Sequence, residues 1–318
     1  MTGKVYLGID VSKATLNFAA ETGGEGTITN VPSAIRQKLQ KLRGQHPGLH
    51  VCLESTGVYG RALLDVCHEQ GVTVSLLNAR AVHHWAIACG TLAKTDRLDA
   101  RMLCRYGRAQ APRPTPPTAP WKRKLQGLRD MREILLKAKI RFHGHLEQAH
   151  SKPLAAMLRK EIARLDKKIG ALDARMEAHF KASDPALLKR LTSVKGVASL
   201  TACQLIAALP ELGTLGKQTV SALAGLAPLT RESGKLKGAG HTGGGRPRLR
   251  ALLKMPASSA IQHNPVIKTF YERKRAEGKR GDVALTAVMR KLLVLLERIA
   301  GDPGFVPSDG EELNIKTK

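Results

Sequence analysis

Residues 111–120, APRPTPPTAP, place five prolines in ten positions. Such a run cannot continue a helix, because each ring removes an N–H and clashes with the preceding turn, and it cannot sit inside a sheet. It divides the chain into two bodies and reads as a semi-rigid spacer. The length, 318 residues, agrees with about two domains of ~150 residues each.

The part before the prolines, residues 1–110, alternates strand and helix patterns. KVYLGID reads as a strand ending at Asp10, ATLNFAA as a second, and Gly26–Val31 as a short third. Ser33 is placed to N-cap a helix reaching about His46. LHVCLE, Leu49–Glu54, is a compact apolar strand ending in an acid. A helix over Gly57–Gln70, a strand over Gly71–Leu77, and helices over Ala79–Cys89 and Asp96–Tyr106 follow. This order predicts an α/β layer with a mixed sheet.

Beyond the prolines the period changes to that of helices. Leu158, Ile162, Leu165, Ile169, Leu172 and Met176 are spaced by four and three, a heptad seam. Met131, Leu135, Ala138 and Phe142 show the same spacing, and residues 150–153 break the pattern. Residues 121–183 therefore read as a coiled-coil hairpin, either a dimerisation arm or a pair packed within its own chain. Residues 184–300 read as a mostly helical domain with a glycine-rich basic loop at Gly234–Arg250, and 301–318 as a flexible polar tail. Pro256 falls where a helix is expected and should end or kink it, at a cost of ~3 kcal/mol if internal.

Charge narrows the function. Lys and Arg total 52 against 26 Asp and Glu, a net charge of +26. That excess repels itself in a compact state and calls for a polyanion. A membrane surface fits poorly, since aromatics are 3% of the chain and no run approaches ~20 apolar residues. The first residues enter a strand at once, leaving no room for a signal peptide. The five cysteines, Cys52, Cys67, Cys89, Cys104 and Cys203, have no CxxC spacing. They read as small buried residues in a reducing, cytoplasmic setting. GAGHTG (Gly238–Gly243) matches GxGxxG in form, but no strand precedes it, so no dinucleotide site is expected.

Two constellations carry chemistry. Asp10 and Glu54 close strands, while Asp96 and Asp99 share one helix face near its start. Four converging carboxylates repel unless cations lie between them, and Mg2+ or Mn2+ suits oxygen donors. Two such ions can clamp the attacking and leaving oxygens of a phosphodiester. The second lies around Ser233, flanked by Arg231, Lys235 and Lys237, which could neutralise a phosphate. Arg246, Arg248 and Lys195 extend the basic set. LTSVKGVASLTA, Leu191–Ala202, reads either as the first half of a helix-hairpin-helix element or as an ordinary helix break at Gly196.

GIDVSK around Asp10, LESTGVYG around Glu54 and AKTDRLDA around Asp96 and Asp99 resemble the DEDD domain of the IS110 insertion-sequence transposases, which are related to Piv-type DNA invertases. ALAGLAPLTRESGKLKG, GGGRPRLRALLKM, HNPVIKTFYERKRAEGK and ALTAVMRKLLVLLERI resemble that family's C-terminal domain in order. The resemblance implies an RNase-H-like (RuvC-like) fold for the first domain. It implies metal coordination by Asp10, Glu54, Asp96 and Asp99, and Ser233 as the nucleophile. It also implies double-stranded donor and target DNA, a noncoding guide RNA, and homodimers meeting as tetramers, so that one protomer's carboxylates could serve another's Ser233. A nucleoid-associated bacterial protein is expected. The basic residue usual near Ala239–His241 is missing here. Two rivals remain: a metal-dependent nuclease or junction resolvase using water in place of Ser233, and a basic nucleic-acid-binding protein in which neither site acts.

Overall fold

A computed structural model describes residues 3–54, 57, 59–90, 96–229, 232–233, 236–237 and 241–305. The chain divides into two compact units, Met1–Pro117 and Thr118–Lys318. Among the described residues no helix is long and apolar enough to cross a membrane.

The first unit is a sheet with helices: β1 (Val5–Val11), β2 (Thr15–Ala20), β3 (Glu25–Thr29), α1 (Pro32–Gln45), β4 (Leu49–Glu54), α2 (Arg61–Glu69), β5 (Thr73–Leu77), α3 (Ala79–Ala88) and α4 (Asp96–Gln110). The sheet order is β3-β2-β1-β4-β5. β1, β2 and β3 pair antiparallel, while β4 and β5 join parallel. This mixed order is the RNase-H-like arrangement. The central strands β1 and β4 are buried on both faces, which explains their near-continuous apolar runs. Leu7, Ile9, Leu16, Val51 and Leu53 pack against Ile35, Leu39 and Leu63 of α1 and α2 on one face. Tyr6, Cys52, Met102 and Leu103 form the core of the other.

Several local expectations shift. Ser33 is not the cap of α1; Val31 is, and Pro32 takes the first helical position, where its missing N–H is harmless. α2 begins at Arg61 rather than Gly57, and α4 runs four residues past Tyr106. All five cysteines are free, and Cys89 is exposed.

The proline-rich run is not a loose spacer along its whole length. Thr115 N–H donates to the Val74 carbonyl at 2.7 Å, and Leu76 N–H to Thr115 Oγ1 at 2.9 Å. The segment thus covers the outer edge of β5, where unpaired backbone groups invite aggregation. Ser75 Oγ donates to the Arg113 carbonyl at 2.9 Å and lies 2.8 Å from His50 Nε2. With its proton committed, Ser75 accepts from Nε2–H. His50 is 2% exposed and stacks on Tyr6, and its Nδ1 has no partner among the described residues.

The second unit comprises α5 (Pro120–Glu147), α6 (Lys152–Ser183), α7 (Pro185–Thr192), α8 (Ser199–Ala208), α9 (Lys217–Leu223), β6 (Pro228–Leu229), β7 (Glu232–Ser233), β8 (Leu236–Lys237), β9 (His241–Thr242), α10 (Pro247–His263), α11 (Pro265–Ala276) and α12 (Gly281–Gly301). Its core joins Phe180, Leu205, Val220, Leu253, Val288 and Leu292. α5 and α6 run antiparallel, as the pairs Trp121–Phe180, Arg132–Asp173 and Lys139–Asp166 show. Ile162, Leu165, Ile169, Leu172 and Met176 are buried within this chain, so the heptad seam is already occupied. Met131, expected on the seam, is exposed. Pro256 neither ends nor precedes α10: it is buried inside it, leaving the Leu252 carbonyl without its helical donor.

His50 supplies a pH prediction. Burial, then the charge of Lys4, pushes its pKa below 6.5. The unfolded chain therefore binds more protons, and stability present above pH 6.5 is lost as pH falls toward the lowered value. The melting temperature of the wild type should drop on acidification below about pH 6.5, and more steeply than that of His50→Gln. Parallel pH profiles of the two proteins would contradict this account.

Candidate carboxylate and serine sites

The register of β1 on β4 pairs Ile9 with Leu53. One step further it sets Asp10 beside Glu54, and parallel neighbours about 4.8 Å apart turn such residues to the same face. Tyr6 and Gly8 lie on that face as well, by the two-residue period of the strand. Above it runs α4. A Cβ at Gly8 would stand 2.0 Å from the Ala100 carbonyl oxygen and 2.4 Å from the Cys104 nitrogen. The helix backbone thus rests on the strand where the side chain is missing, and Asp99 precedes Ala100 directly. Gly107 continues the contact, since a Cβ there would meet Cys52 Sγ at 2.6 Å. Cys104 Sγ donates to the Tyr6 carbonyl at 3.2 Å.

Asp10, Glu54 and Asp99 are all partly exposed, and each has a partner of its own. Among the described residues no three acid, His or Cys side chains close into a metal-binding group. The Asp96 side chain lies outside the described residues, although its backbone opens α4. The arrangement therefore supplies a strand-end pair of carboxylates on the sheet face that α4 covers, and α4 opens with Asp96 and Asp99. Their hard oxygen donors suit Mg2+ or Mn2+.

Ser233 lies in β7, paired to Leu236 of β8. Arg231 and Lys235 fall outside the described residues, as do the side chains of Ser233 and Lys237. β6 pairs with β9, and glycines pinch the strands together. Gly225 and Gly245 both have positive φ, and a Cβ on Gly245 would stand 2.3 Å from the Gly225 nitrogen. Short strands of two residues leave no periodic signal, and a glycine-rich basic loop over Gly234–Arg250 was expected here, within a mostly helical domain.

Arg246 braces the backbone while its side chain stays partly exposed. Its guanidinium donates to the Ala208 carbonyl at 3.0 Å and to Glu211 at 2.5 Å, while its backbone N–H reaches the Leu223 carbonyl. Arg248 pairs with Glu133 at 3.1 Å yet keeps a largely exposed side chain. Lys195 is exposed in the turn between α7 and α8. There Gly196 has φ +100°, and a Cβ would meet the Ala260 nitrogen at 2.7 Å. α8 starts without a side-chain cap, so its first N–H groups have no such acceptor. Glu297, which sequence reasoning missed, is buried and accepts from the N–H groups of Gly213, Leu215 and Gly216 at 2.8, 2.5 and 3.0 Å.

A carboxylate-edged RNase-H-like sheet followed by a helical domain defines the class, and comparison with known proteins agrees. The DEDD transposase profile of the IS110 type matches residues 7–151. The profile described as "Transposase IS116/IS110/IS902 family" matches residues 188–272. The protein is a transposase, an enzyme of DNA recombination. The chain belongs to the IS110 family. Among its relatives is the pilin gene-inverting protein of Moraxella bovis, 27% identical over 92% of this chain and 94% of that one. The uncharacterized 42 kDa protein of insertion element IS900 from Mycobacterium paratuberculosis is 33% identical over 45% of this chain and 36% of its own. T. thermophilus RuvC, solved with a Holliday junction substrate, aligns over 36% of this chain and all of its own at 15% identity with a TM-score of 0.29. The sheet order β3-β2-β1-β4-β5 defines the fold.

The seat of α4 yields a prediction. Gly8→Val must push against backbone atoms, which overpacking data place at about 1–3 kcal/mol of lost stability. Its melting temperature should fall, and strand cleavage should fall further than stability explains, because Asp99 moves with the helix. Wild-type melting and activity in this variant would show that α4 does not rest on β1 at this point.

Proposed function

We propose that this transposase cuts and rejoins double-stranded DNA through Ser233, assisted by a divalent metal held by Asp10, Glu54, Asp96 and Asp99. The observation that carries the reading is the Asp10–Glu54 register under the start of α4. When bound, the metal would supply Lewis-acid activation of a phosphodiester. The carboxylates bind and orient it. Ser233 Oγ attacks phosphorus, its proton leaves to a base or water, and the displaced sugar oxygen departs. One phosphoester bond forms as another breaks, so the exchange conserves bond energy and needs no nucleotide cofactor. Arg231, Lys235 and Lys237 offset the charge that develops on the phosphate.

Lys195 and Arg248, both exposed, are phosphate contacts in this reading. Arg246 serves by fixing the root of the Ser233 segment. A noncoding guide RNA is a further partner, and the net charge of +26 suits one. Homodimers assembling to tetramers complete the reading. They must form through surfaces other than the seam of Ile162 and Ile169, which is buried within the chain.

The test is a covalent adduct. Wild-type protein trapped on a nicked suicide substrate should carry a nucleotide on Ser233 by mass spectrometry. Ser233→Ala should bind DNA normally and form none. Full cleavage by Ser233→Ala would support a resolvase-like enzyme that uses water.

A further inference from the structure

Cations crowd one aromatic ring at the end of the chain. Lys291 Nζ, from α12, lies 4.4 Å from the centroid of the Phe270 ring of α11. Arg273 and Lys274 approach the same ring at 5.4 and 5.9 Å. Burial, and then the charge of Arg273, pushes Lys291 down to about 8.

The surroundings keep the same sign. Between residues 268 and 291, Lys and Arg number eight against three Asp and Glu. Glu277 engages Lys274 at 2.7 Å and Arg273 at 3.9 Å, Asp282 faces Arg280 at 3.3 Å, and Glu272 faces Lys268 at 4.0 Å. The acids are thus shared out and leave a net excess of cations. Arg273 keeps a side chain 58% exposed despite its contacts. The IS116/IS110/IS902 profile ends at residue 272, so Phe270 lies inside it and Arg273, Lys274 and Lys291 lie beyond it.

The ring's role decides the kind of partner. Single strands are held by aromatic faces on which bases stack. Here the ring has cations around it, and its neighbours are point charges and a guanidinium. That suits contacts to the phosphates of a duplex, which position the nucleic acid without reading its sequence.

We propose that Arg273, Lys274 and Lys291, arranged around Phe270, form a clamp for the sugar–phosphate backbone of double-stranded DNA, in addition to the basic residues near Ser233. The inference rests on the reading that the chain binds DNA. It assigns part of that binding to α11 and α12.

The experiment uses the full chain and a duplex of arbitrary sequence, with binding followed by fluorescence anisotropy across a salt series. Each phosphate contact contributes about 0.9 to the slope of log affinity against log salt. Lys291→Met combined with Arg273→Gln and Lys274→Gln should flatten the slope by roughly 2 to 3 and weaken binding on the order of 10²-fold near ~0.1 M salt. Lys291→Met alone should hold or raise the melting temperature, because it relieves crowding among like charges, while still weakening binding. A fall in melting with unchanged binding would assign Lys291 to packing against Phe270 and overturn the clamp. So would an equal loss on removing three charges from α6 at Lys160, Lys167 and Lys168, since net charge alone would then explain the effect. Tighter binding to duplex RNA of the same sequence, lost in the triple variant, would overturn the assignment to DNA. Wild-type protein that binds no duplex would overturn the DNA-binding reading itself, and the clamp with it.

Discussion

The close approach of α4 to β1 at Gly8 is the contact on which the first unit depends. Any side chain at that position would stand within 2.4 Å of two backbone atoms of the helix. Because Gly8 has none, Ala100 settles directly on the strand that carries Asp10, and Asp99 precedes Ala100 along the helix. The same packing buries Cys52 and Cys104. Burial, then Cys104, pushes the Cys52 thiol up to about 12, so it stays protonated and packs as a small apolar group. What a glycine and a protonated thiol achieve together is a helix held against a sheet with little room for error.

The second unit solves a comparable problem with different parts. Among the described residues its Ser233 segment consists of strand pairs of two residues each. The root is fixed by glycines at positive φ, by the Arg246 guanidinium on the Ala208 carbonyl and Glu211, and by Arg250 on the Gly244 carbonyl. Glu297 fixes the loop before α9 in the same manner, by one carboxylate accepting from three backbone N–H groups. Such a carboxylate removed from a buried site would leave donors unpaired, at about 1–3 kcal/mol each. Positive charge in this unit therefore serves two ends, some of it bracing the backbone and the rest turned to solvent.

The parts legible in sequence were those with a strong period. β1, β2 and β4 were placed to within a residue or so, because buried strands write continuous apolar runs, and Asp10 and Glu54 followed from their ends. The hairpin of α5 and α6 was legible from its heptads, but periodicity does not say whose helix fills the seam, and here it is the chain's own. Pro32 rather than Ser33 marks the start of α1, since its fixed φ suits the first helical position and places Ser33 inside the helix. The bracing contacts of Arg246 were not legible, because a sequence shows charge and hides the acceptors at Glu211 and Ala208. Gly8 did leave a signal, an isolated glycine within a strand, which commonly marks a backbone passing nearby. The two-residue strands around Ser233 left none.

The central claim is that the seating of α4 through Gly8 turns the Asp10–Glu54 pair into a site for a divalent ion. Binding of Mn2+ to the purified chain, followed by electron paramagnetic resonance, tests it without requiring catalysis. The account predicts saturable binding that weakens by about tenfold or more, some 1.4 kcal/mol, in Asp10→Asn, Glu54→Gln and Asp99→Asn. Unchanged Mn2+ affinity in all three variants, each shown to be folded, would contradict it.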